Sequence, residues 1–253
     1  MIMMQQTIIT QCKNKKGTGI KMNLRKDANH IIESALRQVM PDEAVIQALN
    51  GKNFSTGNLY LIAAGKAAWQ MAKTAASILG DRLESGVCIT KYGHVKGTIP
   101  KVSCYEAGHP VPDDHSFAGT RAALDLAGGL KKEDTVIFLL SGGGSALFEK
   151  PLLPGEELAD ITKQLLACGA DITEINIIRK RLSAVKGGRF AQFCAPAKVF
   201  SIVLSDIIGD PLDMIASGPA YPDSSTCAQA LAIAEKYHLK LSSRAGNLLQ
   251  EET

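Results

Sequence analysis

Residues 135–140 read Thr-Val-Ile-Phe-Leu-Leu and run straight into Ser141-Gly142-Gly143-Gly144-Ser145. A strand-length run that is apolar on both of its alternating faces must be covered on both sides, which requires a parallel sheet held between helical layers. The glycine-rich run then forces the backbone into a tight turn before the next element. The same succession occurs elsewhere in the chain. Residues 58–64 form an apolar run ending in Ala64-Gly65-Lys66, and an alanine-rich helical stretch follows over 67–79. Further strands are predicted at 86–90, 102–106 and 199–204. Helices are predicted from residue 23 to Met40-Pro41 and over 43–49. Others run from an Asp113 or Asp114 cap to 127, over 156–168 and 172–182, from near Gly187, and over 226–237. Strands alternating with helices imply a three-layer α/β/α sandwich with a largely parallel, Rossmann-like sheet.

At 253 residues, with 45% hydrophobic and 21% charged content, the chain is long enough for one large or two small domains with a buried core. A formal charge of +3 is too small to argue for nucleic acid or an anionic membrane as partner. The longest apolar stretches are strand-length, so no membrane span is expected. Six scattered cysteines without a Cys-x-x-Cys pair read as reduced, mostly buried thiols of a cytoplasmic protein, and the dispersed histidines disfavour zinc. Residues 1–21 lack the features of a secretory or mitochondrial leader, and are expected to be a disordered extension ahead of a domain over 22–253.

Ligands of open α/β sheets bind at the carboxyl ends of the strands, and four such ends carry candidate chemistry. Gly65-Lys66 places a cation where a helix begins, against the macrodipole, a conflict that a bound phosphate would resolve. The plain alternative is a solvated first-turn lysine. Lys91 ends the second strand. Ser141, Gly142, Gly143, Gly144 and Ser145 form a loop whose amides can cradle a phosphate or carboxylate, where the alternative is a flexible turn. It is no Walker loop, and Leu147 stands where a dinucleotide fingerprint wants its last small residue. Arg179-Lys180-Arg181 and Lys186-Gly187-Gly188-Arg189 make the densest basic cluster, in which Arg179 and Lys186 share one face of a continuous helix and converge on an anion. A solvated helix surface is the alternative. Asp206 and Asp210 follow the last strand and suit Mg²⁺ carried by phosphates, while Asp206 alone could also cap a helix or act as a base. His109 and His115 flank a proline-rich loop and receive no role.

Six segments in order resemble the glycerate 2-kinases whose second half is the MOFRL domain. They are Ala63-Ala64-Gly65-Lys66-Ala67, Thr90-Lys91-Tyr92-Gly93-His94, Gly108-His109-Pro110-Val111-Pro112-Asp113, Leu140 through Leu147, Ile175-Asn176 through Lys186-Gly187-Gly188, and Ser205-Asp206 through Pro219. The resemblance implies transfer of the ATP γ-phosphate to the 2-hydroxyl of D-glycerate with Mg²⁺. It makes Lys66 and Asp206 catalytic, and Asp206 with Asp210 the metal ligands. It further implies a cleft shared with a MOFRL half that this sequence does not contain, so a separately encoded second half is an expected partner and self-association stays open. Arg181 stands where the family is expected to carry histidine. Two other readings remain. An NAD(P)H-dependent hydroxypyruvate reductase would want an acidic residue, not Lys91, after the second strand. The other is a non-catalytic, truncated binding module.

Overall fold

The computed structural model describes residues 23–38, 40–54, 57–205 and 209–253, so the expected leader lies outside the described residues. The chain divides into two units at residues 39 and 40. In the first, helix α1 (Leu24–Gln38) exposes Leu24, Ile31, Ile32 and Leu36.

The second unit contains the sheet. Helix α2 (Pro41–Leu49) takes Pro41 into its first turn, where the missing amide hydrogen costs nothing, and so starts two residues before its predicted position. Strand β1 (Leu59–Ala64), helix α3 (Ala68–Leu79), strand β2 (Leu83–Lys91) and strand β3 (Val102–Ala107) follow. Helix α4 (Asp114–Ala127) is closed at its start by Asp113, which accepts from the Ser116 amide while Ser116 Oγ accepts from the Asp113 amide. Then come β4 (Thr135–Leu140), the short helix α5 (Gly144–Leu147), α6 (Gly155–Ala167), α7 (Ile172–Arg181), α8 (Arg189–Phe193), β5 (Lys198–Val203), α9 (Cys227–Lys236) and α10 (Ser243–Leu248). The five strands pair in parallel throughout, in the order β3-β2-β1-β4-β5. The α/β/α expectation holds.

Every residue of β4 is buried, and its alternation divides the core in two. Val136, Phe138 and Leu140 face α4, α5 and α8 in one hydrophobic cluster; Ile137 and Leu139 face α2 and α3 in the other. A third cluster joins α6, α7, α9 and α10 through Leu158, Ile161, Leu165, Ile178, Leu182, Ala230, Ile233 and Leu249. Five described cysteines are free, Cys88 and Cys194 being buried while Cys168 is exposed. No helix among the described residues is long and apolar enough to cross a membrane.

Phe138, Phe148 and Phe190 pack ring against ring, with centroids 4.7–5.5 Å apart, and tie α5 and α8 to the central strand. Phe148 is wholly buried, so Phe148→Ala removes both its transfer energy and the packing around it. The expected cost is about 3–5 kcal/mol in urea unfolding. A loss under about 1 kcal/mol would show that this aromatic core does not anchor α5.

Candidate active site

The strand order reverses between β1 and β4: the chain steps outward to β2 and β3 on one side and to β5 on the other. Segments leaving these two central strands go to opposite faces of the sheet and open a crevice at their carboxyl ends. That crevice is where Gly65-Lys66 and the 141–145 loop meet. Gly65 has φ +125°, and a β-carbon placed on it would lie 2.2 Å from Ser141 Oγ and 2.5 Å from the Ser141 carbonyl oxygen. Glycine alone permits this approach. The contact is locked by hydrogen bonds. Ser141 Oγ accepts from the Ala67 amide at 3.1 Å, and the Lys66 amide donates to Gly142 O at 2.9 Å. Ser141 is therefore buried as a brace between the two turns.

Gly142 and Gly143 are partly exposed, and their amides donate to no atom of the described residues. They are available to an anion. Gly143 has φ +86°, and a β-carbon there would meet His109 Nε2 at 3.0 Å and Lys66 Cγ at 3.2 Å. Segments following β1, β3 and β4 thus close on one point. The Lys66 side chain is exposed at this point, while its carbonyl is held by His94, whose Nδ1 donates to it at 2.9 Å. Lys91 is half-buried at the end of β2. Burial, then the charges of Lys66 and Lys91, push His109 below its ordinary value. Tyr92 donates to Asp113 at 2.7 Å and staples the β2 and β3 loops together. Burial works against ionisation of Asp113, but hydrogen bonds from the Gly108 amide, Tyr92 and Ser116 outweigh it and hold the carboxyl down at about 2.

The basic cluster is arranged differently from its sequence reading. Helix α7 stops at Arg181, so Arg179 and Lys186 do not share a continuous helix. They do converge, but on the protein itself. Arg179 donates to Ser145 O at 2.9 Å, and Lys186 donates to Ser145 O and Phe148 O at 3.0 and 3.1 Å. Both pair with Glu149, a fully buried carboxylate, at 3.6 and 3.3 Å. Burial, moderated by Glu149, lowers the Lys186 ammonium to about 8. Lys186 has no exposed surface, so here it shapes the loop from behind. Arg181 is also buried and is bound to Asp223 and Glu252.

Asp206 lies outside the described residues. Asp210 is exposed with φ +46°, and no group of three His, Cys, Asp or Glu residues among those described could hold a metal ion. Sequence reasoning missed two features. His109 gave no local signal, because only the tertiary fold sets it against Gly143. Ala216 and Ser217, at φ +51° and +62°, form a left-handed run whose Ala216 methyl would sit 2.8 Å from a β-carbon on Gly144.

A parallel α/β unit with a lysine and unoccupied loop amides at its switch point has the groups that suit a phosphate or carboxylate. The chain belongs to the family described as Domain of unknown function (DUF4147), which matches residues 27–250. It is 50% identical over 233 residues to the D-glycerate 2-kinase of Thermotoga maritima, covering 91% of this chain and 55% of that protein. A Pyrococcus horikoshii glycerate 2-kinase is 39% identical over 232 residues, with 87% and 52% covered. A protein of Agrobacterium vitis named putative hydroxypyruvate reductase is 41% identical over 198 residues, with 76% and 50% covered. The crystal structure of the Thermotoga glycerate kinase superposes with a TM-score of 0.87 over 91% of this chain and 56% of its own. The resemblance carried by the six motifs therefore stands, and the chain spans about half the length of the relatives it matches.

The buried cluster yields a stability prediction. Lys186→Met leaves Glu149 with Arg179 as its remaining ion-pair partner, takes the ammonium from Phe148 O and leaves Ser145 O with Arg179 alone as its side-chain donor. The expected loss is about 3–5 kcal/mol, as for breaking other buried pairs. Adding Glu149→Gln should recover part of it. A cost below about 1 kcal/mol for Lys186→Met, measured by urea unfolding, would contradict a clamp behind the glycine loop.

Proposed function

We propose that this chain provides the nucleotide- and substrate-binding domain of a glycerate 2-kinase, moving the γ-phosphate of ATP to the 2-hydroxyl of D-glycerate to give 2-phosphoglycerate. The observation that supports it best is the convergence of the Lys66 side chain and the Gly142 and Gly143 amides at the β1/β4 crevice, with Lys91 at the neighbouring strand end. Phosphoryl transfer needs in-line positioning and neutralisation of charge more than covalent chemistry, and amides with ammonium groups supply both. On this reading Lys66 meets the transferring group and Gly65 keeps the turn close enough to do so. Ser141 and Ser145 frame the loop, Gly144 admits Ala216, and Arg179 with Lys186 holds Ser145 in place.

Mg²⁺ bound mainly through phosphates needs one or two protein carboxylates rather than a full cage. Exposed Asp210 suits that use, with Asp206 as the second ligand expected from the sequence. Such an ion would neutralise phosphate charge. A reductase reading is disfavoured at β2, which ends in Lys91 where a ribose-binding acid belongs. Because the relatives are about twice as long, we propose that turnover needs the portion of them that this chain does not span.

The chain should be assayed for ATP-dependent 2-phosphoglycerate formation alone and mixed with the remaining portion of the Thermotoga relative. Turnover is expected only in the mixture, and robust turnover by the chain alone would contradict the shared site. In the active mixture, Lys66→Met keeps the aliphatic stem and should lower kcat/KM by roughly a hundredfold or more. Unchanged kcat/KM would leave Lys66 an ordinary surface residue.

A further inference from the structure

We propose that His109 is the proton acceptor of this site, taking the proton from the attacking hydroxyl of the bound hydroxy acid; the proposal rests on the kinase reading. The geometry is the first ground. The imidazole edge bearing Nε2 lies against Gly143, at the point where the Lys66 stem also arrives, so a group bound to the loop amides lies beside that nitrogen. His109 is partly exposed, which leaves it open to a ligand in the crevice.

The second ground is charge. Burial favours the neutral form of the ring, and the charges of Lys66 from the turn after β1 and Lys91 from the end of β2 add to it. The β4 loop meets it with Gly143, which is uncharged. Among the described residues, the other candidate bases nearby are engaged. Asp113 is held at about 2 by Gly108, Tyr92 and Ser116, too acidic to accept a proton from an alcohol effectively. His94 has its Nδ1 turned onto the Lys66 carbonyl. His115 packs edge-on against Tyr92, with centroids 5.9 Å apart.

The step balances simply. The Nε2 lone pair of His109 takes the hydroxyl proton as the oxygen bonds to the γ-phosphorus. The bond from that phosphorus to the β,γ-bridging oxygen breaks, and its electron pair leaves with ADP. His109 then carries the proton as imidazolium, beside two lysines that favour its release to solvent.

The test uses the chain mixed with the remaining portion of the Thermotoga relative. His109→Gln should lower kcat by roughly a hundredfold or more, with KM changed less than about threefold. In the unsubstituted mixture, kcat/KM should fall with unit slope as pH drops through a value below 6.5, and His109→Gln should abolish that acidic limb. His115→Gln, the control histidine, should leave both intact. A kcat within about threefold of the original, or a persisting limb, overturns the proposal while leaving the kinase reading standing. Absence of turnover in the unsubstituted mixture removes the kinase reading itself, and the proton transfer falls with it. Should His109→Gln fail to fold, proton NMR of the chain decides. The His109 ring should titrate below 6.5 and shift upward in Lys66→Met, whereas titration at 6.5 or above with no response to Lys66→Met overturns the proposal.

Discussion

The crevice depends on one contact, the approach of Gly65 to Ser141. The two residues end neighbouring parallel strands whose chains depart to opposite faces, so any side chain on Gly65 would force the turns apart. With the β-carbon absent, Ser141 Oγ can reach the Ala67 amide and Gly142 O the Lys66 amide. These hydrogen bonds orient Lys66 outward while leaving the next two amides of the loop unoccupied. The Lys66 stem and the amides are thereby brought to one place by backbone geometry rather than by side-chain packing. Such preorganisation matters because donors already in position need no reorganisation when charge builds up on a ligand.

Behind the loop, the fold commits buried charge to holding it. Lys186, Arg179 and Glu149 are brought together where water is excluded, and a buried ion pair seldom stabilises a protein more than apolar residues would. Its use here is positional. The two cations grip the Ser145 carbonyl from one side while the Phe138, Phe148 and Phe190 cluster supports α5 from beneath. A second buried group, Arg181 with Asp223 and Ser225, joins the end of α7 to the segment preceding α9.

What the sequence revealed follows the reach of its signals. Strands β1, β4 and β5 were legible because their apolar runs are bounded by glycine or serine. The start of β2 was not, since Leu83-Glu84-Ser85 alternates too weakly to be told from a turn. The glycine loop and Lys66 could be singled out because glycines next to a buried strand are costly without a reason. Arg179 and Lys186 were recognised as convergent, but their target was hidden: Glu149 becomes their partner only through tertiary packing, and charge runs ordinarily face solvent. His109 carries no legible signal for the same reason, because its neighbours in space come from the ends of three different strands.

If the crevice between β1 and β4 is an anion site already formed in this chain, the chain binds ATP there on its own. Amide chemical-shift mapping by NMR during titration with ATP tests it most directly. Saturable shifts centred on Lys66, Gly142, Gly143 and Ser145, weakened by Lys66→Met, are the expected result. Shifts spread over the surface without saturation, or centred away from the β1/β4 crevice, would contradict the account.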